Sequence, residues 1–455
     1  MKSLYPPLYR GIIHPLFHAL KRDGFNAVER EVLAMDALDA AGLARVQREK
    51  FARLLRDARA RCPYYREVID AGAAEAALEG TPPHELGLPL LTKKVIRERL
   101  NDLVAEGIDP SRLIPNSTSG STGEPMRFYT DLHATLWRRS VDIRNRRWLG
   151  IPHGEPRAQL WGSQIDNQRA SSIRGRLHSL VNRLCVLDAY DLSEPRMAEY
   201  VATLQAFGPL MLVGYPHALV RFGEWCESEG QSILSLRAIV TSAEALYEDQ
   251  RLRIQETLGA PVYDRYGCRE VGCIAHERPG AEGVVINADR VLIELLDERG
   301  RPVPEGDLGS IYVTDLDSHA MPLIRYAIGD LAVAAPPSAA QTYPALARVE
   351  GRSLDVVRSP DGRAVGGTYW TILLRSRPGL RQFQVVQEQL DRLRILYRRD
   401  PDVAQPDFQH FLSGIRKTCG ESVRVDFEEV DRISAEPNGK FRVVKSLVSA
   451  GETRG

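Results

Sequence analysis

The run Ser117-Thr118-Ser119-Gly120-Ser121-Thr122-Gly123-Glu124-Pro125 concentrates more groups able to do chemistry than any other stretch of the chain. Its two glycines let the backbone approach a ligand closely, and consecutive N–H groups can then point at phosphate oxygens. Hydroxyl side chains add further donors. No Gly-Lys-Ser or Gly-Lys-Thr closes the run, so it is not a Walker A loop, and it lacks the GxSxG elbow of a serine nucleophile. By composition alone it equally fits a flexible connector. Cys268, Cys273 and His276 offer metal-ligand chemistry within a short span. They are three candidates without a fourth, so no structural zinc is expected. Asp315-Leu316-Asp317 has the form of a glycosyltransferase DxD, a pattern short enough to arise by chance.

These groups must be held by a large scaffold. The chain has 455 residues, 43% apolar and 26% charged, which is enough for two or three domains of ordinary globular composition. Lys+Arg and Asp+Glu both number 60, which argues against a dedicated nucleic-acid surface. Six cysteines without a CxxC pair suggest reduced thiols in a cytoplasmic protein. The N-terminal segment has some apolar character, but Pro6, Pro7, Arg10, His14 and Pro15 interrupt it. It reads as a helical arm packed on the body rather than a signal peptide, with loose membrane association as the alternative. No stretch approaches the roughly 20 apolar residues needed to span a bilayer.

From about Asn26 to Leu103 apolar residues recur at helical spacing, as in LARVQREKFARLLRDARARC. After the Ser/Gly loop, strand-like RAQLWGS, PLMLVG, LRAIVTSA and PVYDRYG alternate with helical segments. That order predicts an α/β domain with substantial parallel sheet. Beyond Gly283 short strands with turns predict antiparallel hairpins and a small, barrel-like lobe over about 283–351. QFQVVQ, LRILYR, the helix near PDFQHFLSGIRKTCG and VRVDFEEV predict a compact α+β C-terminal domain over 352–455, after an N-terminal domain over 1–351.

Several segments, in order, resemble motifs of the adenylate-forming superfamily, specifically its phenylacetate–CoA ligase branch and within it the capsular-polysaccharide CapK subgroup. They are the Ser/Gly loop, TSAEAL (Thr241 to Leu246), YGCRE (Tyr266 to Glu270), PLIRYAIGD (Pro322 to Asp330), GRSLD (Gly351 to Asp355) and PNGKFR (Pro437 to Arg442). CPYYRE and LPLLTKKVIRERL are similar to the same branch. The resemblance implies that Ser119, Gly120, Ser121, Thr122 and Gly123 cradle the phosphates of ATP. It places Ser242, Ala243, Glu244 and Tyr266 beside adenine, with Gly267 in the same motif. Asp330 would accept the ribose hydroxyls, and Arg352 would contact ribose or phosphate. Glu270 would hold Mg²⁺, a hard ion that takes oxygen ligands. Lys440 would reach from the C-terminal domain to the α-phosphate on a long flexible stem.

The resemblance further implies a two-step reaction. A carboxylic acid is activated as acyl-AMP with release of pyrophosphate, and the acyl group then passes to CoA or an amine. Trp161, Tyr215 and His217 are expected to line the acid pocket. Arg269 stands where many superfamily members carry a small hydroxyl residue, and it can still grip an anion. Glu124 replaces a frequent lysine, and Leu354-Asp355 an Asp-Asp pair. Two other functions remain open: AMP transfer to a hydroxyl of a coenzyme or glycan, and a non-catalytic nucleotide-binding subunit. The expected assembly is a monomer or homodimer.

Overall fold

A computed structural model describes residues 4–118, 126–162, 179–336, 341–352, 356–360, 364–365, 369–370, 373–374, 377, 379–399, 403, 406–433 and 441–448. The chain divides into two compact units, the first being Met1–Leu246, Gln250–Ile328 and Ala332–Val349. The second comprises Tyr247–Asp249, Gly329–Leu331 and Glu350–Gly455.

The helical N-terminal stretch is observed, its longest element being Ala40–Arg61. Asp39 caps that helix by accepting from the Gly42 amide at 2.7 Å, and Arg59 and Arg61 lie in its last turn, where cations meet the helix dipole. The hairpin β1 (Ile114–Ser117) and β2 (Arg127–Thr130) pairs antiparallel. It is followed by the helix Leu132–Trp148, which Asp131 caps through the Ala134 amide at 2.7 Å.

An 11-stranded sheet follows. Its first five strands are β3 (Arg157–Trp161), β4 (Leu184–Asp188), β5 (Met211–Gly214), β6 (Ala238–Ser242) and β7 (Val262–Cys268). The next six are β8 (Gly272–His276), β9 (Val284–Ile286), β10 (Val291–Leu296), β11 (Leu308–Asp315), β12 (Tyr326–Ala334) and β13 (Ala345–Arg352). Strands β3 to β7 run parallel, in the spatial order β4-β3-β5-β6-β7. The helices Glu194–Phe207 and Pro216–Ser228 are crossovers between them. All five residues of β6 are buried, as expected of a strand covered on both faces.

The antiparallel strands were expected to form a separate barrel-like lobe. They instead continue the same open sheet, β7 pairing with β8, β8 with β9, and β9 with β13. The hairpin β7–β8 makes the junction, and a register shift falls at Tyr266/Gly267. Gly267 is required there: a Cβ would lie 2.3 Å from the Gly272 carbonyl oxygen.

In the second unit β14 (Val357–Arg358) pairs with β15 (Ala364–Val365). A four-stranded sheet is built from β16 (Leu380–Gln389), β17 (Arg392–Arg399), β18 (Arg424–Glu429) and β19 (Val444–Ser446), in the order β18-β17-β16-β19. The helix Phe408–Cys419 contributes buried Phe411, Ile415 and Cys419 to its core, alongside Trp370, Phe383 and Ile395.

Candidate active site

Ligands of open α/β sheets bind outside the carboxyl ends of the parallel strands. The described candidate residues of the first unit collect there. Trp161 ends β3, Tyr215 follows β5, Ala243 and Glu244 follow β6, and Tyr266 and Gly267 lie near the end of β7.

The three residues expected at an acid pocket are brought together. The Trp161 and Tyr215 rings lie 4.6 Å apart, and Tyr215 and His217 stack at 6.0 Å with only 7° between their planes. Tyr215 is buried at the start of the helix Pro216–Ser228, which turns His217 toward β6. His217 Nδ1 faces the Glu244 carboxylate at 2.8 and 2.9 Å. A proton on Nδ1 donated to Glu244 fixes the ring and directs Nε2 away from the pair. Glu244 was expected beside adenine, and its side chain is what orients His217. Ala243, between β6 and Glu244, has φ +72°, a left-handed conformation that costs a non-glycine residue energy and sharply redirects the chain. Ser242 is buried and donates to the Arg265 carbonyl at 3.0 Å.

Glu270 is buried in the β7–β8 turn, whereas Arg269 beside it is exposed. Tyr326, fully buried, donates its hydroxyl to Glu270 Oε1 at 2.7 Å. Oε2 has no hydrogen-bond partner among the described residues. A buried carboxylate with one oxygen anchored and the other open fits the donor a hard divalent cation requires. The backbone behind it is pinned by buried charge. Arg138 donates to the Glu270 carbonyl and reaches Asp315 Oδ2 at 3.2 Å. Arg290 donates to the Val271 carbonyl and to the same Asp315 oxygen at 2.8 Å. Arg138, Arg290 and Tyr326 escaped the sequence reading, and Asp315 was singled out only as part of the DxD. Of the three that escaped, Tyr326 alone lay in a segment already singled out, PLIRYAIGD.

Asp315 is therefore a structural acid. Asp317 pairs with buried Lys50 at 2.9 Å, and the Lys50 ammonium lies 3.2 Å from the Trp137 ring centroid. Both aspartates of the DxD are fully buried and engaged, which removes them as an exposed metal-binding pair.

Cys268, Cys273 and His276 do not form a ligand cluster. Cys273 accepts from the Asn145 amide at 3.3 Å, and burial pushes its thiol pKa up, away from thiolate. His276 Nδ1 faces the Glu277 carbonyl at 2.5 Å, and burial lowers its pKa to about 4. Among the described residues the groups able to share a metal are His14, Glu29 and His153 instead.

Asp330 lies half-buried on β12, within the Gly329–Leu331 segment of the second unit. Arg352 ends β13. Ser119, Gly120, Ser121, Thr122, Gly123, Leu354, Asp355 and Lys440 lie outside the described residues. The flanks of the phosphate-loop candidate are defined: the Thr118 amide donates to the Met126 carbonyl, and the Met126 amide to Thr118 Oγ1, each at 3.0 Å.

Comparison with known proteins agrees with this architecture. Residues 357–447 match the CapK C-terminal domain family. Protein CapK of Staphylococcus aureus is 24% identical over 362 residues, 78% of each chain. A phenylacetate–coenzyme A ligase of Thermus thermophilus is 26% identical, covering 65% of this chain and 67% of the relative. Among solved structures, 2-hydroxyisobutyryl-CoA ligase in its postadenylation state with an acyl-AMP aligns with TM-score 0.68 and 21% identity, over 89% of this chain and 88% of its own. The fold is that of the acyl-CoA ligases. Within it, the matched C-terminal domain and the curated relatives bear out the resemblance to phenylacetate–CoA ligases and CapK.

Proposed function

We propose that the protein uses ATP and Mg²⁺ to convert a carboxylic acid to its acyl-AMP, releasing pyrophosphate, and then transfers the acyl group to CoA or an amine. The observation that carries this reading is the gathering of candidate side chains at the carboxyl ends of adjacent parallel strands, with Glu270 held in the turn that follows.

In this reading Trp161, Tyr215 and His217 receive the acid. The stacked rings give it an apolar wall, and the free edge of His217 offers its carboxylate a polar contact. Glu270 would hold Mg²⁺, which supplies charge neutralisation at the phosphate oxygens. Ser119 to Gly123 bind the phosphates, Ser242 to Glu244 with Tyr266 and Gly267 border adenine, and Asp330 and Arg352 take the ribose side. Arg269, exposed beside Glu270, would grip an anion. Lys440 supplies positive charge to the transition state of the first step. Domains over 1–351 and 352–455 would divide the work, the second as a mobile lid.

The likeness to CapK suggests exopolysaccharide assembly as the setting, and ATP chemistry with six cysteines and no CxxC pair suits the cytoplasm. Pyrophosphate release over a panel of aryl, fatty and sugar acids, followed by acceptor trials with CoA and amines, tests the reading. Acid-independent release of pyrophosphate with a stable adenylylated hydroxyl product would replace it by AMP transfer. Nucleotide binding without turnover would leave a non-catalytic subunit.

A further inference from the structure

The N-terminal arm runs helically from Tyr5 to Lys21, with a π-helical turn at Tyr9–Ile13. Its inner face is anchored on the body by polar and aromatic groups. Tyr5 donates to the Val181 carbonyl at 2.7 Å, Tyr9 to Asn182 Oδ1 at 3.1 Å, and Arg10 to the His153 carbonyl at 3.0 Å. The His14 ring packs edge-on against Phe25 at 5.0 Å, and His18 stacks on Phe25 at 4.2 Å while its Nδ1 meets Asp23 at 2.8 Å. The orientation of the arm is thus set by specific contacts.

The outer face is the reverse of a normal surface helix. Leu4, Leu8, Ile12, Leu16 and Leu20 recur every fourth residue and are 84%, 47%, 58%, 54% and 76% exposed, and Phe17 adds another 58%. Leu180, next in sequence to the arm's anchor at Val181, is also 75% exposed. Monomeric proteins rarely leave so continuous an apolar surface uncovered. Residues 1–22 contain Lys2, Arg10, Lys21 and Arg22 and no Asp or Glu; Arg10 lies 3.4 Å from Glu155 and Lys21 3.3 Å from the buried side chain of Asp23, so the exposed charge of the arm stays basic at Lys21 and Arg22. Arg183 lies against the Tyr5 ring, 5.7 Å from its centroid.

We infer that this face docks the protein on an anionic lipid bilayer, the arm lying in the plane of the interface with its apolar side chains among the acyl chains and Lys21 and Arg22 at the headgroups. Apolar ridge plus cationic flank is the combination such surfaces bind. A second copy of the chain suits the face less well, because a two-fold contact would set Lys21 and Arg22 against their own copies, and the side chain of Asp23, the acid Lys21 pairs with, is itself buried. Among the described residues no helix is long and apolar enough to cross a membrane, so the attachment is interfacial.

Flotation of the full-length protein with vesicles of phosphatidylcholine doped with phosphatidylglycerol tests this. The wild type should float with the doped vesicles, more weakly at high salt and more weakly still with pure phosphatidylcholine. Leu16→Ser with Leu20→Ser should lower partitioning by about tenfold or more, through lost apolar burial. Lys21→Glu with Arg22→Glu should lower it by a similar factor in doped vesicles only. The leucines are exposed, so their replacement should leave the thermal melt unchanged. Failure to float with either vesicle, or flotation indifferent to Leu16→Ser/Leu20→Ser, overturns the inference. So does a lipid-free dimer, seen by light scattering, that the same two substitutions dissolve.

Discussion

Replacing Tyr326 by Phe and, separately, Glu270 by Gln should separate the structural role of this pair from its chemical one. Tyr326 is fully buried, and its hydroxyl donates to Glu270 Oε1 at 2.7 Å. Phe keeps the ring and its packing, so Tyr326→Phe removes the hydrogen bond to this charged acceptor. The expected loss is about 1.5–3 kcal/mol, the range for such a bond, seen as a melting temperature lower by several degrees. Glu270→Gln does the opposite. The amide oxygen can still accept from Tyr326, and the Glu270 carbonyl still receives Arg138, so stability should move by less than about 1 kcal/mol. The anionic donor is lost, however, and acid-dependent ATP–pyrophosphate exchange should fall by about two or more orders of magnitude, with a higher Mg²⁺ requirement. Thermal melts and exchange assays over a Mg²⁺ titration read both effects. A Glu270→Gln protein that melts far lower yet keeps the wild-type Mg²⁺ dependence would make Glu270 a structural acid and refute the reasoning.

Asp330→Ala should weaken ATP binding by about 1–3 kcal/mol, the cost of leaving two hydroxyls without their shared acceptor, and spare acid binding. Calorimetry showing unchanged ATP affinity would remove Asp330 from the site. Lys440→Ala should lower adenylation by about two or more orders of magnitude while a supplied acyl-AMP is still converted to product. Equal loss in both half-reactions would instead indicate general damage. Burial and the neighbouring Glu277 raise the Asp264 pKa to about 7. An acid with a raised folded pKa binds a proton that the unfolded chain releases, so its contribution is present below about pH 4 and declines as pH rises to about 7. Asp264→Asn should therefore stabilise the protein on the order of 2–4 kcal/mol more at pH 8 than at pH 4; pH-resolved chemical denaturation with equal effects at both would contradict this.

The parallel strands were readable because each is a short apolar run closed by a turn, as in MLVG and AIVTS. The residues that end them were readable from the motifs they carry. What escaped depends on long sequence separation. Nothing near Glu270 announces that Arg138 and Tyr326, 132 and 56 residues away, hold it. The pairing of His217 with Glu244 required knowing that β5 and β6 are neighbours, since 27 residues separate the two side chains. The antiparallel strands looked like a separate lobe because hairpin patterning fixes local pairing and not which edge a hairpin extends. The N-terminal segment was expected to be a helical arm packed on the body. The face that packs is the one carrying Tyr9, His14 and His18, and the leucines point outward.

The central claim is carboxylate activation by ATP, and isotope exchange between pyrophosphate and ATP measures it without knowledge of the acceptor. The account predicts exchange that requires both Mg²⁺ and one class of acid within a broad panel of aryl, fatty and sugar acids, with no need for CoA. Exchange that stays at background across the whole panel, from protein shown by calorimetry to bind ATP, would contradict it.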